Sequence, residues 1–414
     1  MIPVARVGHG RTPRQVRVRR GRSVGRASRA FIVGVGESAY TKWGAMTGQS
    51  ELGMALESVA AAARDAGIAT TDIDGFASYS NDANLPAQMQ FGLGVPILRH
   101  ASMVWGGGGG GLLGAVAHAV AAVEAGHANC IAVFRALAQG QRGRLGQGGK
   151  PGPTFNATAP FGLLIPAQQA ALMMRRHFHD HGTSPDTLAE IAIVCRENAQ
   201  ANPRALMRGR PMDRAAYFDS RMISDPLRLF DCCLESDAAA AVLVTSPDRA
   251  KDLRAVPVEI LAVGVGGGQA WGMGFLGGHN MPVDRYSHGN ANELGAELFA
   301  RAGIAPDDVD VAQLYDAFTP MVVQALGDYG FCAHDEVGRF VASGALRRGG
   351  SLPINTSGGS LSEAYVHGMN LLIELVRQLR GEALNQVEHA QLGFIAGGPG
   401  VAPTSAAVLA RRSS

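Results

Sequence analysis

One stretch of this chain is written twice. Ala66-Gly-Ile-Ala-Thr-Thr-Asp-Ile-Asp-Gly-Phe-Ala-Ser-Tyr-Ser80 aligns without a gap on Ala302-Gly-Ile-Ala-Pro-Asp-Asp-Val-Asp-Val-Ala-Gln-Leu-Tyr-Asp316, with seven of fifteen positions identical. Each copy follows a helix-like segment and precedes a glycine-rich loop and an Ala/Leu-rich helix, so the repeating unit is helix, strand, Gly-loop, helix, strand. Strands alternating with helices make an α/β layered fold. The expectation is two pseudo-symmetric αβαβα halves, 30–255 and 256–414, with a loop region of about 139–229 inserted in the first.

The strands expected in the first half are Phe31–Gly36, Ile73–Ser80, Asn129–Phe134 and Ala238–Val244. Glu51–Ala66 reads as a helix, and Leu112–Ala125 follows the six-glycine run Gly106–Gly111 as another. In the second half, Val256–Val265 and Val309–Leu314 read as strands, and Pro320 opens a helix. With 414 residues, 46% of them apolar, the chain has ample material for a core. It holds no run of eighteen apolar residues, so no membrane span is expected. The five cysteines (130, 195, 232, 233, 332) have no metal-ligand spacing and fit a reducing cytoplasm, and no metal site is expected. The net charge of +2 hides an asymmetry: residues 1–29 hold nine arginines and no acid, which leaves 28 basic against 35 acidic groups elsewhere, or −7. That head reads as an Arg-rich disordered leader, and nothing else suggests nucleic acid.

Two loops carry the chemistry. Tyr315 and Asp316 stand at the carboxyl end of a strand, where open α/β sheets place ligands. Asn355-Thr-Ser-Gly-Gly359 leads through Glu363, Tyr365 and His367 into a helix marked by Leu371, Leu372, Leu375, Val376 and Leu379. Helix-start N–H groups favour developing negative charge, and a cationic His367 would lower the Tyr365 pKa. Taken alone, Tyr315 reads as a packing residue, Asp316 as a helix cap, and Cys232 and Cys233 as core.

These residues resemble the thiolase superfamily, in its lipid-transfer-protein branch, from about Phe31 to Leu409. The thiolase nucleophilic cysteine falls at or beside Gly109; its Asn-x-x-Gly-Gly…His motif becomes Asn355, Gly358, Gly359 and Tyr365. Its last motif reads Phe394-Ile-Ala-Gly-Gly-Pro-Gly400, with phenylalanine for cysteine, and the sterol-carrier-like oxyanion His becomes Tyr315 of Tyr-Asp-Ala-Phe318. Tyr-Asp-x-Phe with Glu-Ala-Tyr-Val-His-Gly is similar to the thiolase-fold retro-aldolases that shorten steroid side chains as CoA thioesters.

The resemblance implies catalytic roles for Tyr315, Tyr365 and His367 and an acyl-CoA site built around Gly109, Gly110, Gly358, Gly359 and Gly398. It implies a coenzyme A thioester as substrate with no covalently bound cofactor. It also implies a homodimer joined by a first-half edge strand, with Asn129–Phe134 or a neighbour as candidate, and a small zinc-ribbon/OB-fold partner completing a heterotetramer. The CoA phosphates have Arg142, Arg144, Lys150, Arg175 and Arg176 as candidate contacts. The competing readings are an atypical acetyltransferase/thiolase using Cys332 and a non-catalytic CoA-binding subunit.

Overall fold

The computed structural model describes residues 30–141, 158–268, 282–401 and 403–412. The Arg-rich head 1–29 and most of the expected exposed loop after Gln139, with Arg142, Arg144 and Lys150, lie outside the described residues.

The first half contributes strands β1 (Phe31–Glu37), β2 (Thr41–Lys42), β3 (Gly75–Tyr79), β4 (His100–Val104) and β5 (Cys130–Ala138). A small hairpin, β6 (Met222–Ser224) and β7 (Leu227–Arg228), precedes β8 (Ser236–Thr245). The second half adds β9 (Val258–Gly266), β10 (Val311–Leu314), β11 (Leu392–Gly397) and β12 (Thr404–Arg411).

The strand order β10-β11-β12-β9-β1-β8-β5-β3-β4 is the expected duplication laid out in space. Outward from β1, the pairings with β8, β5, β3 and β4 run antiparallel, antiparallel, parallel, parallel. Outward from β9, those with β12, β11, β10 and a bridge at Ile354 repeat that sequence. The halves join where β1 meets β9 over Phe31↔Glu259 and Ile32↔Val258. The helices Leu112–Glu124 and Met369–Arg380 each pack on strands of both halves and form the middle layer. Glu51–Ala66 covers the outer face of the first half and Asn292–Ala302 that of the second.

The repeated residues have repeated duties. Gly67 and Gly303 end their helices in the left-handed region, at φ 77° and 69°. Asp72 and Asp308 each accept the N–H three residues earlier, from Ala69 and Ala305. Asp74 accepts the N–H groups that open β5, and Asp310 those that open β11. Tyr79 and Tyr315 follow at the two strand ends.

One expectation needs correcting. Asn129–Phe134 belongs to β5, which is paired with β3 on one side and β8 on the other, so it is no edge. Among the described residues the edge of the first half is β4, one strand further out, which pairs with β3 and carries partly exposed side chains.

Candidate active site

The two helices of the middle layer begin at the same place. Leu112–Glu124 starts from a tight turn, Gly108–Gly111, and Met369–Arg380 starts just after Tyr365, Val366, His367 and Gly368. Tyr315 comes in from the end of β10, and its hydroxyl lies 2.8 Å from that of Tyr365. The ring of Tyr315 lies against the glycine turn: a Cβ on Gly109 would stand 2.4 Å from Tyr315 Cε2, and one on Gly108 3.0 Å from its hydroxyl. The space beside the side-chain-free Gly109 is thus filled by a phenol from the other half.

The two motif loops hold each other. Asp316 is buried and accepts the N–H groups of Ser360 (2.7 Å) and Leu361 (3.2 Å), capping the short Gly359–Ser362 helix. It is a cap, as expected, but for a helix of the opposing loop. A Cβ on Gly359 would fall 2.1 Å from its Oδ2. Asn355 accepts the Leu314 N–H and donates to the Leu314 carbonyl, and so fixes the end of β10. The Tyr365 backbone is clamped by Ser236, whose Oγ accepts its N–H (2.9 Å) and donates to its carbonyl (3.1 Å).

His367 lies in the left-handed region at φ 50°, a conformation that costs energy in a residue with a side chain. Tyr79 holds it there by donating to the His367 carbonyl at 3.0 Å. Arg135, the one charge in the otherwise apolar β5, donates from Nε to His367 Nδ1 (3.1 Å) and pairs with buried Asp82 at 2.6 Å. Burial and Arg135 together push the His367 pKa well down, so the ring is neutral and its proton sits on Nε2. This corrects the expected cation beside Tyr365. Burial raises the pKa of both phenols rather than lowering either. For Tyr315 the Tyr365 hydrogen bond and the Gly109 N–H temper the rise.

Tyr315, Tyr365 and His367 line one cavity of about 920 Å³ with Gly107 and Gly108. Ile165, Pro166, Ala167, Met207, Met222, Ile223 and Leu229 bring the inserted region onto its wall, and Phe230, Phe318, Met321 and Leu361 extend the apolar lining. The other glycines shape the site from behind. Gly110 lies against the Pro403 carbonyl, Gly398 against Gly110, and Gly358 against Ala199 of the Pro185–Ala201 helix. Phe394 stands away from the tyrosines, among Phe299, Tyr329 and Phe331.

Comparison with known proteins places this geometry. A family model, Thiolase C-terminal domain-like, matches residues 283–412. The steroid side-chain-cleaving aldolase of Thermomonospora curvata is 37% identical over 92% of this chain and 97% of its own. The chain belongs to the thiolase superfamily. Within it, the 17-hydroxy-3-oxo-4-pregnene-20-carboxyl-CoA lyase of Mycobacterium tuberculosis is also 37% identical, over 92% of this chain and 99% of its own. The solved Ltp2-ChsH2(DUF35) aldolase superposes with a TM-score of 0.87 at 36% identity, covering 94% of this chain and 99% of that one. The framework is therefore shared with carbon–carbon lyases over nearly the whole chain.

The cysteines of this thiolase-fold chain are poor nucleophiles. Burial pushes Cys332 and Cys232 up to about 12, and Cys233 well above its usual value. Cys232 and Cys233 are not core as expected; they are half-buried and line the cavity. Of the phosphate-contact candidates, Arg175 pairs with Asp225 and Arg176 with Asp180. Among the described residues, no helix is long and apolar enough to cross a membrane.

Glu363, beneath the tyrosine loop, accepts from Asn202 (2.7 Å), Ser357 (2.7 Å) and Asn370 (3.0 Å). Burial, then the nearby Glu37 carboxylate, raises it to about 7. The folded state thus holds this proton more tightly than the unfolded state does. Its contribution to stability is full below the unfolded pKa of about 4.5 and is lost as pH rises to about 7. Glu363→Gln removes the titration and keeps the shape. The stability of Glu363→Gln minus that of the wild type, from denaturant melts, should therefore climb between those two pH values and level off above. A difference that stays flat with pH would show that folding leaves the Glu363 pKa where it is in the unfolded chain.

Proposed function

We propose that this chain is a carbon–carbon lyase that cleaves a β-hydroxyacyl-CoA of the steroid side-chain type by a retro-aldol reaction. The observation that carries this reading is the pair of buried, hydrogen-bonded phenols facing a cavity whose lining thiols, Cys232 and Cys233, have their pKa raised by burial. In the cleavage the β-hydroxyl loses its proton, the C–O bond becomes a carbonyl, and the Cα–Cβ bond breaks. Its electron pair passes into the thioester enolate, which is then protonated on Cα. The net movement is one proton from oxygen to carbon, and two phenols in contact can relay it without either existing as a free anion.

One phenol receives the hydroxyl proton and passes its own to the other, which delivers a proton to Cα. The Nε2–H of neutral His367 and the N–H groups of the Gly106–Gly111 turn are the donors for the enolate oxygen. The apolar cavity accommodates a fused-ring acyl group, and the glycine framework carries the pantetheine arm.

The assembly follows the same likeness. The chain pairs with a second copy through β4 and with a small zinc-ribbon/OB-fold partner; the likeness to an aldolase that joins Ltp2 to ChsH2(DUF35) supports a partner subunit.

The test uses the purified chain, with and without such a partner, and 17-hydroxy-3-oxo-4-pregnene-20-carboxyl-CoA, the compound named for the mycobacterial relative. Breaking its bond between the hydroxyl carbon and the side chain must give a steroid ketone and propionyl-CoA. Cys332→Ala should release both at the wild-type rate. A trapped acyl-enzyme, or loss of turnover in Cys332→Ala, would make the chain an atypical thiolase instead.

A further inference from the structure

A second polar cluster lies at the far end of two helices that line the cavity. His177 and His181 sit one turn apart at the end of the Pro166–His181 helix. His334 faces them from the turn His334–Glu336, and Asp328 ends the Thr319–Asp328 helix beside it. One ring nitrogen from each of His177, His181 and His334 falls within 4.8 Å of the other two. His177 Nε2 and His334 Nδ1 are 3.3 Å apart. Two imidazole nitrogens on a tetrahedral zinc ion, each at about 2.05 Å, stand about 3.3 Å from one another.

The outer nitrogens of two rings are already held. His177 Nδ1 lies 2.7 Å from Thr183 Oγ1, and His334 Nε2 lies 3.0 Å from Asp328 Oδ1. Such outer partners keep the proton on the outer nitrogen, turn the inner lone pair to a common point, and recur in metal-binding histidines. Asp328 is itself fixed, because its Oδ2 accepts the Ala291 N–H at 2.9 Å. His181 Nε2 is 3.2 Å from Ser287 Oγ. His288 stacks on His334 at 3.9 Å and closes one side, and its buried Nδ1 has no hydrogen-bond partner.

We propose that His177, His181 and His334 form a site for a divalent transition metal of the zinc class, oriented by Thr183 and Asp328 and open to one water. Three imidazoles suit zinc, cobalt, nickel or copper and discriminate against magnesium and calcium. Pro166, Ala167 and Met321, in the first turns of the two helices, line the cavity, while His177 and His181 lie about 15 to 21 Å from Ala167 along the helix axis. The ion therefore braces the inserted helix against the second half and takes no part in bond cleavage. It is separate from any zinc in a partner protein.

The experiment uses the full chain without a histidine tag, stripped by chelator, and titrated with Co²⁺ and then Zn²⁺. One equivalent of Co²⁺ should develop a visible ligand-field band that one equivalent of Zn²⁺ erases, and zinc should raise the melting temperature. His181 is only half-buried, so His181→Ala should fold, and it should lose the band and the thermal shift. Asp328→Asn should bind about 10–100-fold more weakly. Two outcomes overturn the proposal: no saturable binding to folded wild-type protein, or binding of unchanged affinity in His181→Ala. Either would make the cluster a hydrogen-bonded histidine core.

Discussion

Tyr315→Phe and Tyr365→Phe should each lower kcat/KM for retro-aldol cleavage by about a hundredfold or more, the range of a lost general acid or base. Each change removes one hydroxyl and keeps the ring. The loss of stability should be about 1 kcal/mol, the usual worth of one hydrogen bond. The hydroxyls lie 2.8 Å apart, and in the proposed relay either deletion breaks the whole path. The double variant should therefore be little slower than the poorer single one. Gly109→Ala tests the same geometry from outside the pair, because its methyl would stand 2.4 Å from Tyr315 Cε2 and displace the ring. It should fall into the same activity range with both phenols present. Steady-state kinetics on the pregnene CoA thioester read all four variants. Single variants within threefold of the wild type would remove the tyrosines from the chemistry.

The duplicated architecture was legible because the repeat preserves the residues that form its turns. Gly67/Gly303, Asp72/Asp308 and Asp74/Asp310 perform local tasks, and local tasks leave a mark in sequence. The tyrosine pair was legible for a different reason: Tyr365 follows the Asn355, Gly358 and Gly359 motif, and Tyr315 opens Tyr-Asp-Ala-Phe318 at a strand end.

Relations across the sequence were not legible. Asn129–Phe134 has the pattern of any buried strand, and whether such a strand lies at an edge depends on partners far along the chain. The charge of His367 was misjudged because Arg135, 232 positions away, supplies the proton that keeps its Nδ1 an acceptor. A signal for that was present. An arginine in the middle of Cys-Ile-Ala-Val-Phe-Arg-Ala-Leu-Ala calls for a buried partner, whereas the strand was expected to stop at Phe134. The histidine cluster likewise drew no metal expectation. His177 and His181 alone show one-turn spacing, and the third ring and its aspartate come from the other half.

Arg135→Met should have the largest effect on stability, about 3–5 kcal/mol, because it leaves the Asp82 carboxylate buried without its cation. The side chains of the pair are 5% and 0% exposed, so water cannot replace the lost partner. Asp82 would keep only neutral donors, the Asn84 amide groups and the Ala136 N–H. Activity should also fall, since His367 loses the bond that fixes its tautomer and ring orientation. The two effects separate in the double variant Arg135→Met with Asp82→Asn. Removing both charges takes away the unpaired carboxylate, so denaturant melts should recover most of the lost stability. Turnover should stay low, because nothing then donates to His367 Nδ1. The same split should appear in the kinetics as a fall in kcat with a smaller change in KM, because in the proposed reaction His367 holds charge that develops only during cleavage. A double variant that regains both stability and kcat would mean that Arg135 serves the fold alone.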